Sequence, residues 1–258
     1  MVYKQGPPYR ARTVPEICSD LQEAREVHGQ GVRRLFFPAG NTIAMPTENL
    51  AAVCCFAREQ FPALERITVY GSSRYIAEKG LKDLALLKEA GLSRIHVGLE
   101  SGDDEVLRRV KKGTTAREQV HAGRLVVEAG IVLSEYVILG LGGEERTHAH
   151  ALATAEAINA IGPHFVRLRT LVPKVNTLLL HQIRKGRFRL LGPHGVLQET
   201  RTLIEHLTCE TLLTSDHYTN YVNLEGRLPR DRDRLLEEVD AALKLDETRF
   251  RPPFVGTA

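Results

Sequence analysis

The sequence predicts an α/β protein made of repeated strand–helix units with parallel strands, closing into a barrel or part of one. Three observations carry this reading. Short apolar runs alternate with segments whose apolar residues recur at helical spacing. Capping boxes open several of those segments and glycines close them. Five candidate strands are each joined to the next through a helical segment, which is how a chain returns to lay strands of one direction side by side.

Val14–His28 places Ile17, Leu21 and Ala24 on one face behind a capping box of Thr13 and Glu16. A strand is predicted at Arg33–Pro38, then a helix at Glu48–Gln60 with Leu50, Val53, Cys54 and Ala57 on one side. Strand Arg66–Gly71 leads to helix Leu81–Ala90, which stops at Gly91. Arg94–Gly113 reads as strand, tight loop and short helix. The strand ends in small residues around Glu100, and the helix opens on acids and closes on bases, as its dipole favours. Gly113 is expected to supply the left-handed stop. Thr115 and Glu118 form a second capping box for Ala116–Ala129, which stops at Gly130. Strand Leu133–Leu139, helix Thr147–Ala160 and strand Phe165–Leu171 follow.

After Val172-Pro173 the rhythm changes. The expected division is 1–173 for the barrel part and 174–258 for a mainly helical extension. That extension holds helices at Asn176–Arg184, Pro193–Leu207 and Arg232–Leu245, one further strand at Cys209–Asp216, and a loose tail at Arg251–Ala258.

Composition bounds the function. The 258 residues, 43% hydrophobic and 26% charged, suffice for a large core. A net charge of +3 with interspersed signs gives no argument for nucleic acid. No apolar run reaches the length of a membrane span, and four irregularly spaced cysteines make no disulfide scaffold, so a reduced, cytoplasmic protein without membrane partners is expected.

The strand ends, in order, are Pro38-Ala-Gly-Asn41, Tyr70-Gly-Ser-Ser73, Gly98-Leu-Glu-Ser-Gly102, Val137-Ile-Leu-Gly-Leu-Gly-Gly-Glu144 and Arg167-Leu-Arg-Thr-Leu-Val-Pro173. Their order and separation, with Ile138-x-Gly-x-x-Gly-Glu144 the most specific piece beside Arg94–Gly113, resemble the core of a radical SAM enzyme. The branch they are similar to contains oxygen-independent coproporphyrinogen oxidases and tRNA-modifying members. The resemblance covers roughly Val14 to Pro173, with a weaker match from Thr214-Ser-Asp-His217 to Pro229. It implies a partial (β/α)6 TIM-like barrel, here lacking its first strand. It also implies S-adenosylmethionine and a [4Fe–4S] cluster at the carboxyl edge of the strands, and a reductase of flavodoxin or ferredoxin type for a complete enzyme.

The resemblance also implies roles. Gly40 and Asn41 fall where relatives hold the methionine amino group, although Ala39-Gly40-Asn41 departs from the Gly-Gly-Glu-like sequence found there. Ser72 and Glu100 fall where ribose or methionine contacts occur. Ile138, Gly140 and Glu144 match the element that packs against adenine, and Arg167 and Arg169 lie on the strand whose backbone contacts adenine. The residues agree with this chemistry independently. A zwitterionic ligand needs a carboxylate and donors, glycine lets backbone approach a flat ring, and Arg167 and Arg169, two apart on a strand, share a face.

The family's cluster needs three cysteines spaced Cys-x3-Cys-x2-Cys, and this sequence has none so spaced. Cys18, Cys54, Cys55 and Cys209 are expected to be structural thiols. Met1-Val-Tyr-Lys resembles sequence that follows the third cysteine in relatives, so the expectation is a truncation before or within the cluster motif, or a natural loss of it. No metal ligand and no catalytic residue is assigned, and the substrate is unknown. The leading reading is a radical SAM core that in complete form generates a 5′-deoxyadenosyl radical. The alternatives are a non-catalytic S-adenosylmethionine- or nucleotide-binding module and a cluster-free TIM-barrel enzyme with Glu100 or Glu144 as general base.

Plainer roles compete for several residues. Glu100 is suited to capping the next helix, Glu144 to flanking an N-cap, and Asn41 to turn chemistry. Arg167 and Arg169 are suited to outward salt bridges, His96 to a satisfied core position, and Arg184–Arg189 to a solvated turn or an anion site.

Overall fold

The structure is a computed structural model that describes residues 10–175 and 177–252. Seven strands run in chain order through one sheet: β1 (Arg34–Phe37), β2 (Arg66–Gly71), β3 (Leu92–Glu100), β4 (Val132–Leu139), β5 (Phe165–Thr170), β6 (Thr211–Thr214) and β7 (Glu225–Leu228). β1 with β2, β2 with β3 and β5 with β6 are parallel, and β6 with β7 is antiparallel. The chain forms two compact units. One comprises 10–98 and 121–134, the other 99–120 and 135–252.

In the first unit, α1 (Val14–His28), α2 (Thr47–Gln60) and α3 (Ser73–Glu89) accompany β1, β2 and most of β3. The Thr13–Glu16 capping box forms in full, because both partners are local and the first-turn donors have no helical acceptor. Burial alternates along β3, with Leu92, Ile95 and Val97 buried and Arg94 and His96 half-buried. The buried set joins Ile67, Val69, Leu50, Val53, Ile76, Leu84 and Leu87 in the core. A register shift between Ile67 and Thr68 is filled by Ser93, whose hydroxyl accepts from Ile67 N at 2.9 Å and donates to Ile67 O at 3.1 Å. α3 starts eight residues before the expected Leu81, at Ser73; Gly80 (φ 68°, ψ 178°) breaks it into two helical pieces, and the sequence pattern marks only the second.

In the second unit, α4 (Asp104–Arg109), α6 (Gly143–Ile161), α7 (Leu178–Arg184), α8 (Pro193–His206) and α9 (Arg232–Leu243) surround the remaining strands. The Thr115–Glu118 box precedes α5 (Ala116–Glu128), with Thr115 N on Glu118 Oε2 at 2.7 Å and Glu118 N on Thr115 Oγ1 at 3.3 Å. α6 packs on α8 and α8 on α9. Their apolar faces bury Ile158, Val196, Leu203 and Val239 with Val166 and Leu168 of β5.

Three local expectations change. α4 closes through Lys111 (φ 56°), with Lys112 N bonded to Leu107 O at 3.0 Å; Gly113 is left-handed as expected (φ 82°) but stands two residues beyond the turn that stops the helix. β7 lacks a strong apolar run and was not anticipated; its alternate residues Gly226 and Leu228 are buried. The helix expected from Asn176 starts at Leu178, capped by the Thr177 hydroxyl; Asn176, the opening Met1–Lys4 and the tail beyond Pro252 lie outside the described residues.

Candidate functional site

In the second unit, the loops that follow β3 and β4 are tied down by one buried polar network. Asp103 caps α4, its Oδ1 accepting from Glu105 N at 2.9 Å and Val106 N at 3.3 Å. Its Oδ2 takes a fork from Arg146 of α6, at 2.9 Å from Nε and 2.7 Å from Nη2. Ser101 Oγ accepts from Asp103 N at 2.9 Å and lies 2.8 Å from His150 Nδ1. A hydroxyl that already accepts is free to donate, so Ser101 donates to Nδ1 and the proton of His150 sits on Nε2. That nitrogen faces Ile138 O at 3.2 Å and Glu199 Oε1 at 3.6 Å. Glu199 of α8 accepts from Gly140 N and from Thr147 Oγ1, both at 2.6 Å. Thr154 completes the set by accepting from Gly102 N at 2.9 Å. Ser101, His150, Thr154 and Glu199 are all at most 2% exposed, and burial pushes the Glu199 carboxyl above its ordinary pKa.

The network sets the tip of β3. Glu100 holds a left-handed backbone (φ 64°), which a side-chain-bearing residue adopts only under constraint. Its carboxylate meets Lys112 Nζ at 3.4 Å. Asp103 is the helix cap, so Glu100 does not serve that role. Next to this pair, Glu135 of β4 is 1% exposed, and desolvation pushes its pKa up to about 8 against the opposing pull of Lys112. Its Oε2 has no hydrogen-bond partner.

The tip of β4 is glycine-lined. Gly140 (φ 79°) is buried in ordinary contact with Leu191, Leu171 and Val196, 3.8–3.9 Å from where a Cβ would stand, whereas Gly143 (φ 63°) lies under the 184–189 turn, where a Cβ would come 2.9 Å from Arg189 O and 3.2 Å from the Phe188 ring. Glu144 N donates to Arg189 O at 3.1 Å, and Glu144 Oε2 pairs with Arg189 Nε at 3.1 Å. Glu144 therefore closes its motif onto the basic turn. Ile138 lies on the less buried face of β4 beside Tyr136.

On β5, Arg167 and Arg169 share one half-buried face, opposite Val166 and Leu168. Arg169 sits 4.7 Å above the Tyr136 ring and donates to His217 Nε2 at 3.3 Å. Arg167 reaches Asp216 only at 3.9 Å. Neither turns outward into the helix layer.

In the first unit, Asn41 Oδ1 accepts from Ser72 N at 3.1 Å, clasping the loop after β1 to the start of α3. Asn41 makes no local cap bond, so its side chain works across 31 residues instead of within its own turn. Gly40 is exposed, with open space where a Cβ would stand. Gly71 is tighter, its virtual Cβ lying 3.0 Å from Ile95 Cγ2 and 3.1 Å from Ile43 Cγ2. His96, Tyr70 and Phe36 form an aromatic group with centroids 5.1–6.0 Å apart.

The profile of the radical SAM superfamily matches residues 1–155, more than half of the sequence. The chain belongs to the radical SAM superfamily. An archaeal Elp3 of Methanocaldococcus infernus, with residues 1–46 deleted, shares its fold at a TM-score of 0.55 and 14% identity, over 92% of this chain and 59% of that one. Coproporphyrinogen III oxidase (HemN) of Escherichia coli, a radical SAM enzyme, does so at 0.55 and 19%, over 76% of this chain and 47% of that one. An uncharacterised protein of Methanopyrus kandleri is 25% identical over 159 residues, 57% of this chain and 30% of that protein. The chain thus spans between 30% and 59% of the length of these relatives.

The thiols present in this radical SAM chain do not fit an iron–sulfur cluster. Cys18 lies on α1, Cys54 and Cys55 on α2 and Cys209 beyond α8. Cys54 is buried and its thiol is pushed up to about 12, the reverse of a ligating thiolate. Cys55 is exposed, so it is not the buried small hydrophobe expected. Among the described residues no three metal-ligating side chains gather, and no helix is long and apolar enough to cross a membrane.

Ser101, Asp103, Glu135, Arg146, His150 and Glu199 were absent from the sequence-based site. A signal existed for part of the set. Thr147, His150 and Thr154 recur on one stripe of α6, and Glu199 interrupts the stripe of Val196 and Leu203 on α8; polar residues on a buried stripe need partners.

Proposed function

We propose that this chain is the S-adenosylmethionine-binding core of a radical SAM enzyme. The observation that supports it best is the buried network that immobilises the tips of β3 and β4, since so many buried partners are spent on holding two strand-end loops, one of which carries the Glu100 carboxylate and the other a run of closely packed glycines. Glu100 is suited to a cationic or hydroxyl-bearing part of the ligand, and Gly140 to close approach by a flat ring beside Ile138. Glu144 acts by fixing the motif to Arg189. By resemblance alone, Gly40 and Asn41 are assigned a methionine-contacting role and Ser72 a ribose- or methionine-contacting one, and the Asn41–Ser72 bond holds their loop in shape.

S-adenosylmethionine supplies the adenosyl and methionine groups on which the family's chemistry runs. This chain's residues bind it, orient it and exclude water around it. No step is derived through the iron–sulfur cluster, because the thiols present do not converge. A reductase partner enters only with such a cluster and belongs to the same proposal. The absence of a Cys-x3-Cys-x2-Cys sequence favours one second reading, a binding module that acts without radical chemistry.

Calorimetric titration of S-adenosylmethionine into the chain tests the proposal. Heat of binding with a thermal shift, and an affinity about tenfold weaker for Glu100→Gln, are expected. No heat and no shift at millimolar ligand would refute it. Anaerobic iron–sulfide treatment of the chain alone is expected to leave it without a cluster.

A further inference from the structure

The face of β5 carries two guanidiniums whose charge is not balanced. Arg169 has neutral partners, the Tyr136 ring at 4.7 Å and the His217 imidazole at 3.3 Å. An arginine only donates, so His217 Nε2 accepts, while its Nδ1 lies 2.7 Å from Thr219 Oγ1 and 3.3 Å from Thr219 N. Arg167 has one carboxylate nearby, Asp216, at 3.9 Å and 61% exposed, too far for a hydrogen bond and largely screened by water. Arg167 Nε is buried with no partner at all, although the side chain is only 29% exposed. A half-buried cation with an unsatisfied donor is an expensive arrangement unless an anion completes it.

We propose that Arg167 and Arg169 form an anchor for an oxyanion, a carboxylate or phosphate carried by a second ligand of the enzyme. The planar fork of arginine matches both groups, and residues two apart on a strand direct two forks to one side. That the ligand is a second one, the substrate, rests on the S-adenosylmethionine reading above. S-adenosylmethionine carries one carboxylate that a single guanidinium fork can take, but its sulfonium and ammonium make it a net cation, so it does not balance the charge of two arginines. An anionic substrate has the opposite sign. His217, Tyr136 and Asp216 are positioning residues in this arrangement, holding the guanidiniums in place.

The test uses succinate and inorganic phosphate as probes on the intact chain. His217 reports on the site, because burial, Arg169 and Arg251 hold its pKa below the ordinary value while Asp216 opposes them. Anion binding at Arg169 is expected to shift the His217 ring resonances and raise its titration midpoint, a readout that needs no variant. Arg167→Gln and Arg169→Gln are each expected to weaken the preferred probe about tenfold and to leave S-adenosylmethionine affinity within about twofold. Preference for succinate over phosphate would identify the group as a carboxylate, and the reverse as a phosphate.

The anchor is overturned if neither probe moves His217 at tens of millimolar, or if both variants bind the probes as the wild type does. Loss of S-adenosylmethionine affinity in step with probe affinity would give the arginines to that ligand and overturn the substrate assignment. Probe binding without any S-adenosylmethionine binding would remove the parent reading and leave the anchor standing.

Discussion

The loop after β4 and the loop after β1 both present glycine at a strand end, yet they are held by different means. The first hangs on Glu199, a carboxylate from α8 that is buried to 2% exposure and bonded to Gly140 N, with Gly143 pressed under the 184–189 turn. The second is tied to α3 by half-exposed hydrogen bonds, Asn41 Oδ1 from Ser72 N and Met45 O from Lys79 Nζ, and its Gly40 faces open space. A buried carboxylate with all its neighbours committed admits one geometry; a surface amide admits several at little cost. The difference teaches that the two loops are built for different work, one as a fixed platform and one as a part that adapts.

The largest expected effect comes at Gly102, which joins the β3 tip to the network. A Cβ there would lie 2.2 Å from Ala153 O and 2.8 Å from Thr154 Cα, both backbone atoms of α6. A helix cannot yield locally as a side-chain end can, so Gly102→Ala should destabilise by more than about 3 kcal/mol. Chemical denaturation measures it. A loss under 1 kcal/mol would show that α6 gives way and that the platform is not fixed.

Glu199→Ala leaves Gly140 N and the Thr147 hydroxyl without their acceptor in a buried place, and about 2–4 kcal/mol should be lost. Glu199→Gln tests what the carboxyl supplies. Glutamine keeps an acceptor oxygen for Gly140 N and can turn its amide nitrogen to the Thr147 hydroxyl, which reverses to accept, so it should recover more than half of the loss.

Glu135 gives the same unit a pH signature. Its folded pKa, pushed to about 8, exceeds the ordinary 4.5, so the native state holds a proton that the unfolded chain has released. Stability from this group is therefore full below about pH 4.5 and falls as pH rises toward 8, by at most about 1.4 kcal/mol per unit. Glu135→Gln should flatten the fall seen between pH 5 and 8 in thermal melts. A wild-type curve that is already flat across that window would mean the carboxyl finds a partner the structure does not show.

How far the sequence reveals all this depends on distance along the chain. The Thr13–Glu16 and Thr115–Glu118 boxes and the strand cores could be read directly, because their partners are within four residues or follow a strict period. The strand-end residues were found through family resemblance. Their supports were not, since Ser101 meets His150 across 49 residues and Gly140 meets Glu199 across 59. His150 likewise finds its partners in Ser101, Thr154 and Glu199, two of them remote in the chain. Lys111 was missed as a helix stop because sequence favours glycine for a left-handed residue, and Gly113 stood two places away.

Asn41→Ala removes the bond from Ser72 N to the β1 loop, and about 1 kcal/mol should go with it, because Ser72 N keeps access to water. Gly40→Ala should do less still, under about 0.5 kcal/mol, with a slight gain possible through a stiffer unfolded chain. Its Cβ meets nothing within 4 Å and its backbone is not left-handed. Those features separate two roles that one number would merge. If Gly40 is only an exposed loop residue, Gly40→Ala changes neither stability nor binding. If it is there so that backbone can approach the methionine end of S-adenosylmethionine, the melting temperature stays put while affinity drops severalfold. Melting and titration on the same variant decide between these, and Gly143→Ala, strained at φ 63° and crowded by Arg189, provides the opposite case in which stability must fall first.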